Sequence, residues 1–402
     1  MTFRIPLAKP EVTDADRDAV MDVLRTPYLS SGPQVEKFER AICEYTGAAH
    51  AVAVNSGTSA LQLAIRAMGI QRGAEVILPS FTFSAVLNVV LIEGLRPKFV
   101  DIDPATYNCT PEGVQAAITP DTRLIIAVHT FGFPVDVNAI TQAVTHARSE
   151  NNNRIFVIED ACESIGTEVH GKKAGTLGDA GLFAFYPNKQ ITTGEGGMLV
   201  TSDEQIARKA SPLRNQGRDP DLGWNSHAEV GYSYRISDVN CALGISQLSR
   251  IESIIERREA LAEMYDRELA RIPEIVRPPL TNNVGRISRF VYPVQLSAEF
   301  GADDRNLICE LMARKGIATG RYFAPLHRQP VLRSRAEGQK LTTEGTELHR
   351  GKATEASYSL ANTEFVADRV IALPFFNELT QAEIQGVCRA LKESLREVRR
   401  KT

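Results

Sequence analysis

The six cysteines, Cys43, Cys109, Cys162, Cys241, Cys309 and Cys388, are scattered, with no CxxC pair among them. Isolated thiols support neither a zinc cluster nor a disulfide framework, so no metal is expected and a reducing, cytoplasmic setting fits. No apolar run approaches the ~20 residues needed to cross a bilayer. The opening MTFRIPLAKPEVTDAD lacks the apolar stretch of a signal peptide. No long block of one charge sign occurs, and the formal net charge is -3. A general affinity for nucleic acid or an anionic membrane is therefore not expected. No internal repeat is evident. What the chain does have is 402 residues, 43% of them hydrophobic, enough for a sizeable core and more than one domain.

Residues 11–26 read as an opening helix with Thr13 or Asp14 as N-cap. In Gln34–Tyr45 the spacing of Val35, Phe38, Ile42 and Tyr45 puts them on one helical face. Strands and helices then alternate through HAVAV, EVILP, KFVDID, LIIAVHT and RIFVIED. Short β-rich runs separated by helices predict an α/β fold with a mostly parallel central sheet flanked by helices. Ligands of such sheets gather outside the carboxyl ends of the strands. Those ends are Asn55–Ser59, Ser80–Phe83, Asp101–Asp103, His129–Gly132 and Asp160–Glu163. Beyond Thr201, Ile245–Ile272 reads as one long charged helix leading into a smaller α+β C-terminal domain. VYPVQL and GIATGRYF are its expected strands. The expected division is 1–250, including the N-terminal segment, and 251–402. The stretch Arg333–Ser357 is polar and reads as an exposed loop.

The strand ends carry the chemistry. NSGTSA is a glycine turn opening a helix, where amides and the Ser56, Thr58 and Ser59 hydroxyls suit a phosphate; a plain helix cap would look the same. The turn is neither G-x-G-x-x-G nor a Walker A loop, so a dinucleotide or P-loop enzyme is not indicated. In PSFTFSA, Phe81 and Phe83 lie beyond a strand end, where one could stack on a flat ligand or both could fill the core. Glu159-Asp160 ends an apolar strand, where a buried carboxylate needs a strong partner or serves as a helix cap. In FAFYPNKQITTGEGGMLVT, Lys189 stands alone between aromatics and glycines. By itself it could be a surface charge. A phosphate turn, a stacking aromatic, a buried aspartate and an isolated lysine, in that order, make up a site for pyridoxal 5'-phosphate (PLP). The lysine bonds the cofactor aldehyde and shuttles protons, while the aspartate keeps the ring nitrogen protonated.

Together with YLSSGPQVEKFE, AVNSGTSALQLAI, GAEVILPSFTFSA, IIAVHTFGFPVD, VIEDACESIG, GYSYRISDVNCALGISQLSRI and VIALPFFNELT, these residues resemble the DegT/DnrJ/StrS-type sugar aminotransferases along nearly the whole chain. The resemblance implies the PLP-dependent transferase fold type I. It implies catalytic roles for Lys189 and Asp160, stacking by Phe83, Glu163 beside the cofactor's phenolic oxygen, and phosphate contacts from Gly57 and Thr58. It further implies a homodimer with shared active sites, the GYSYR loop with Ser233 reaching the partner's cofactor. Two positions depart from the family pattern: Ala184 stands where a phosphate-binding serine is common, and Ser233 where asparagine is usual. The implied reaction moves an amino group from L-glutamate to a keto sugar of a nucleotide-sugar, at C4 or C3 of a keto-deoxyhexose. Alternatives are amination of a cyclitol or aromatic precursor, or a PLP-binding regulatory protein without turnover. Candidate sugar contacts are the loop Ser30–Pro33 with Arg321, Tyr322 and His327, the last also readable as a packed loop histidine. Arg235 is a candidate for a substrate carboxylate or for an interface salt bridge.

Overall fold

The computed structural model describes residues 3–151, 154–218, 226–332 and 360–400. The polar stretch Arg333–Ser357 lies outside them. The alternating segments form β1 (His50–Val54), α3 (Gly57–Ala67), β2 (Glu75–Pro79), α4 (Ala85–Ile92), β3 (Arg96–Val100), α5 (Pro111–Ala117), β4 (Thr122–Val128), α6 (Val137–Asn151) and β5 (Phe156–Asp160). They are preceded by α1 (Asp14–Leu24) and α2 (Pro33–Thr46). A small hairpin, β6 (Glu168–Val169) and β7 (Lys172–Lys173), leads to β8 (Ala180–Ala184), β9 (Gly197–Thr201) and α7 (Glu204–Arg214).

Among the described residues, seven strands form one sheet in the order β1-β9-β8-β5-β4-β2-β3. The pairs β3–β2, β2–β4, β4–β5 and β5–β8 are parallel, while β9 runs antiparallel to both β8 and β1. Strand β4 explains the topology: Leu124 to Val128 are all buried, so it needs cover on both faces and can only be central. One face packs on α3, α4 and α7 through Leu61, Leu87 and Leu213. On the other face, Phe38 and Ile42 of α2 meet Phe183, Phe185 and Met198.

The expected long helix at 245–272 is two helices, α8 (Asp238–Leu248) and α9 (Ile251–Leu269). The break has a tertiary cause. Arg250 turns back toward the N-terminal segment, donating to Glu11 Oε1 at 2.8 Å and to Asp16 Oδ2 at 3.0 Å. Thr13 is the N-cap of α1, in a capping box with Asp16. The fully buried Asp16 carboxylate also accepts from Ser246 Oγ at 2.6 Å and Gln247 Nε2 at 2.8 Å. Burial would push the Asp16 pKa up, but the bonds from Ser246, the Thr13 amide and Arg250 win and hold it low. A depressed carboxylate contributes stability above the ordinary carboxylate range and loses it as pH falls through the folded value. Asp16→Ala is therefore expected to cost about 1–3 kcal/mol at pH 7, the scale for leaving buried donors such as Gln247 unpaired, since Arg250 keeps Glu11. Urea unfolding at pH 7 and at pH 3 should show that difference shrinking in acid.

A second sheet joins β10 (Ile275–Val276), β11 (Tyr292–Leu296) and β12 (Val370–Leu373). Just ahead of β12 lies α11 (Ala361–Ala367). With α9, α10 (Ala302–Arg314) and α12 (Gln381–Arg399), this sheet encloses a separate core of Tyr265, Tyr292, Met312, Leu373 and Leu391. The expected strand GIATGRYF is instead an irregular segment held by isolated bridges, Ile317 to Ile5 and Gly320 to Ala372. The N-terminal Ile5 thereby enters this second core.

Candidate active site

The start of α3 meets the end of β8 and the loop after β5, at Ala184 and Cys162. Ser56 caps that helix, its Oγ accepting from the Ser59 amide at 3.1 Å. The hydroxyls of Ser56 and Ser59 bond each other at 2.9 Å, and Ser59 Oγ also donates to Asn55 Oδ1 at 2.7 Å. The amides of Gly57 and Thr58 are those that the helix geometry leaves for an anion. Thr58 is exposed and Gly57 is buried. A Cβ on Gly57 would sit 2.7 Å from Cys162 Sγ and 2.9 Å from Ala184 Cβ. Only glycine lets the helix start close onto the loops that follow β5 and β8.

At the end of β5 the pleat separates two adjacent carboxylates. Glu159 is the fully buried one. It accepts from the amides of Gly175, Leu177 and Gly178 at 2.6–2.8 Å and from His129 Nε2 at 3.0 Å. The Val135 amide donates to His129 Nδ1 at 3.1 Å, which fixes the neutral tautomer with hydrogen on Nε2. Asp160, expected as the buried aspartate, is only half-buried and points to the other side. Its Oδ1 accepts from the Cys162 amide at 3.1 Å. The buried acid of this strand is thus Glu159, satisfied by neutral donors, while Asp160 faces the site.

Lys189 follows β8, with its side chain 13% exposed and Nζ 3.5 Å from Glu163 Oε1. Burial pushes the Glu163 pKa up, a shift opposed by Lys189 and by the Phe131 amide, which donates to Oε2 at 2.9 Å. The two phenylalanines before the lysine do not pack on its side chain. Phe183 and Phe185 point into the core, Phe185 lying 5.2 Å from the Phe38 ring. The ring against Lys189 is Phe290, whose centroid is 4.1 Å from Nζ. No local pattern in SRFVYPVQL marks it, because the two residues lie far apart along the chain. Tyr322 lies close by, its pKa raised by burial and by the charge of Glu163. Phe81 is buried and Phe83 is exposed, at 59%, so the reading that puts both rings in the core does not hold. The Phe83 ring is 6.4 Å from that of Phe323.

The remaining candidates have other partners. Exposed Ser30 bridges Ser237. The Ser30–Pro33 loop is pinned where the Gly32 and Gln34 amides donate to Asp238 at 2.7 and 2.8 Å. Ser233 is exposed and bridges Asn215, whose Oδ1 accepts from Arg235 Nη1 at 3.1 Å. Arg321 is exposed and donates to Asn306 Oδ1 at 3.0 Å. The buried His327 ring has both nitrogens engaged, Nδ1 with Ser80 Oγ at 2.6 Å and Nε2 with Glu364 Oε1 at 3.1 Å. Of its two readings, the packed loop histidine matches this geometry. The structure therefore gathers Gly57, Asp160, Glu163, Lys189 and Tyr322 and does not bring His327 to them.

The sequence profile of the DegT/DnrJ/EryC1/StrS aminotransferase family matches residues 10–392. The chain is 39% identical over 328 residues to the GDP-perosamine synthase of Caulobacter vibrioides, covering 81% of this chain and 86% of that one. A solved structure of the putative sugar aminotransferase Spr1654 from Streptococcus pneumoniae, in its PLP form, superimposes with a TM-score of 0.87 at 25% identity, covering 98% of this chain and 99% of that one. The structure of 3-amino-5-hydroxybenzoic acid synthase gives 0.85 at 25% identity, covering 99% and 100%. The chain belongs to the DegT/DnrJ/EryC1/StrS aminotransferase family and is a PLP-dependent aminotransferase.

Proposed function

We propose that this enzyme moves an amino group from L-glutamate to the keto carbon of a nucleotide-linked sugar, C4 or C3 of a keto-deoxyhexose. The observation that carries the reading is the 39% identity to a GDP-perosamine synthase over most of both chains. The donor set fits PLP: a helix start packed too tightly for any side chain but hydrogen at Gly57, a carboxylate facing the site, an exposed aromatic ring and a shielded amine.

When bound, PLP supplies the electron sink for the negative charge that develops on the substrate carbon. The residues supply the rest. The Gly57 and Thr58 amides hold the phosphate. Phe83 would lie against the ring, Asp160 would hold a proton at the ring nitrogen, and Glu163 would serve the phenolic oxygen. Lys189 would anchor the cofactor through Nζ and, as a free amine, would hold and move a proton at Nζ. The enzyme acts as a cytoplasmic homodimer, each Ser233 serving the partner's cofactor, and the chain divides near residue 250. Tyr322, with Ser30, Arg235 and Arg321, contributes to the substrate's surroundings.

The similarity to 3-amino-5-hydroxybenzoic acid synthase favours a second reading, amination of a cyclitol or aromatic precursor. The experiment that tests the proposal starts from the PLP-loaded protein. L-Glutamate should bleach the absorption band at the visible edge, and a 4-keto or 3-keto nucleotide sugar should restore it. Restoration by keto-cyclitols alone would overturn the sugar assignment. A band that survives saturating glutamate would overturn glutamate as donor.

A further inference from the structure

Phe290 is 3% exposed and is fixed from three directions. Its amide donates to Phe131 O at 3.2 Å. Two residues before it, the Ser288 amide donates to Thr167 Oγ1 at 3.0 Å, and Ser288 O accepts from Gln190 Nε2 at 2.9 Å. Gly132 sits so close beneath this strap that a Cβ there would fall 1.9 Å from Ser288 O, and its φ is +92°. The third hold comes from α9. The Arg258 guanidinium, 4% exposed, donates to Arg289 O and Phe290 O at 2.8 Å each and to Asn377 Oδ1 at 3.0 Å. A buried cation is costly unless its donors are satisfied, and here the planar fork is satisfied by the backbone that carries Phe290. Burial lowers the Arg258 pKa only to about 10, so the guanidinium stays charged at neutral pH.

We propose that Phe290 is a further functional residue, its ring face stabilising Lys189 Nζ in the proton-bearing state, and that Arg258 is the positioning residue that fixes the ring. This rests on Lys189 being the PLP lysine. The ammonium is bounded on one side by the Phe290 ring at 4.1 Å and on another by Glu163 at 3.5 Å. Asp160, the Cys162 thiol and the Tyr322 phenol also face this cluster, and Arg258 bonds the Phe290 carbonyl. Both carboxylates favour the ammonium. The ring adds to them through its negative face, and it does so without offering an acceptor that would compete for the proton. A lysine that must hold a proton between taking it from one carbon and delivering it to another gains from such a surface.

The test uses cofactor-free, full-length protein. PLP is added across a pH series, and the rate of capture gives the midpoint at which Lys189 becomes a free amine. Borohydride reduction and peptide mapping then report the lysine that carries the adduct. Phe290→Leu should lower the midpoint by about half to one pH unit, the scale of a partly desolvated cation–π contact. Phe290→Tyr should restore it. Arg258→Lys keeps the charge but loses the fork, and should shift the midpoint in the same direction. The double variant should add nothing beyond Phe290→Leu. An adduct on Lys189 with an unmoved Phe290→Leu midpoint overturns the proposal. Additive shifts overturn the positioning role of Arg258. An adduct on another lysine overturns the assignment of Lys189 itself.

Discussion

Lys189→Ala is expected to lower amino transfer by at least about 10⁴-fold, the upper end of what a positioned acid–base group contributes. In the proposed mechanism the same side chain both bonds the cofactor and moves the proton, so no second group would retain part of the function. The loss should be chemical and not a collapse of the site. Among the described residues Lys189 makes one ion pair, with Glu163, and its removal leaves that acid with the Phe131 amide as donor. Without the ammonium, the Glu163 carboxyl should rise further above its ordinary range and become neutral, which avoids a stranded buried charge. Single-turnover reaction with glutamate should show the loss. A small primary amine added to the Lys189→Ala protein should recover part of the proton-transfer rate, because the side chain leaves a shielded space beside Phe290. Full activity in the variant would sink the assignment.

Asp160→Asn should be the next largest effect, roughly 10–10²-fold in kcat/KM, the scale of losing one hydrogen bond to a charged group. The substitution is nearly isosteric. The carbonyl oxygen of the new side-chain amide can still accept from the Cys162 amide at the 3.1 Å position, so the turn after β5 should keep its shape. What is lost, in the proposed mechanism, is the charge that would hold a proton on the ring nitrogen. The comparison with Glu159→Gln separates chemistry from architecture. Glu159 accepts from four donors and is fully buried. Its variant should lose stability before it loses rate, and Asp160→Asn the reverse. Stopped-flow half-reactions beside chemical unfolding would show the two orders, and equal loss of stability in both would count against the role of Asp160.

Much of this site is written in contiguous motifs. In a parallel sheet each strand delivers its last residues to one edge, so NSGTSA, PSFTFSA and IEDACES can be read as neighbours before any contact is known. The opposite fates of Phe81 and Phe83 were not legible from the pleat, which sets residues two apart on one face, and both lie beyond the end of β2 at Pro79. Pleat alternation was also indecisive at Glu159-Asp160, where the pattern alone does not say which face is the site. Phe290 and Arg258 were invisible, since a ring on a lysine and a guanidinium under a strap are contacts made by distant segments. The break between Leu248 and Ile251 was hidden for the same reason, because Arg250 answers to Asp16, near the start of the chain. GIATGRYF has the composition of a strand, but two glycines and its bridges to separate segments, Ile5 and Ala372, leave it irregular. The aromatics Phe183 and Phe185 misled by proximity: strand neighbours of Lys189 in sequence, they serve the core.

The bridge from Ile5 to Ile317 sets a timetable for synthesis. The seven-stranded sheet needs only residues 50–201 and can begin to form while the rest of the chain is still on the ribosome. The second core needs Ile5 together with residues as late as Val398. At translation speeds of about 5–20 residues per second, the first segment waits roughly 20–80 s for its partners. Its apolar side chains are uncovered during that interval. An N-terminal fusion or tag that hinders Ile5 should therefore reduce the yield of folded protein more than it disturbs the enzyme once folded.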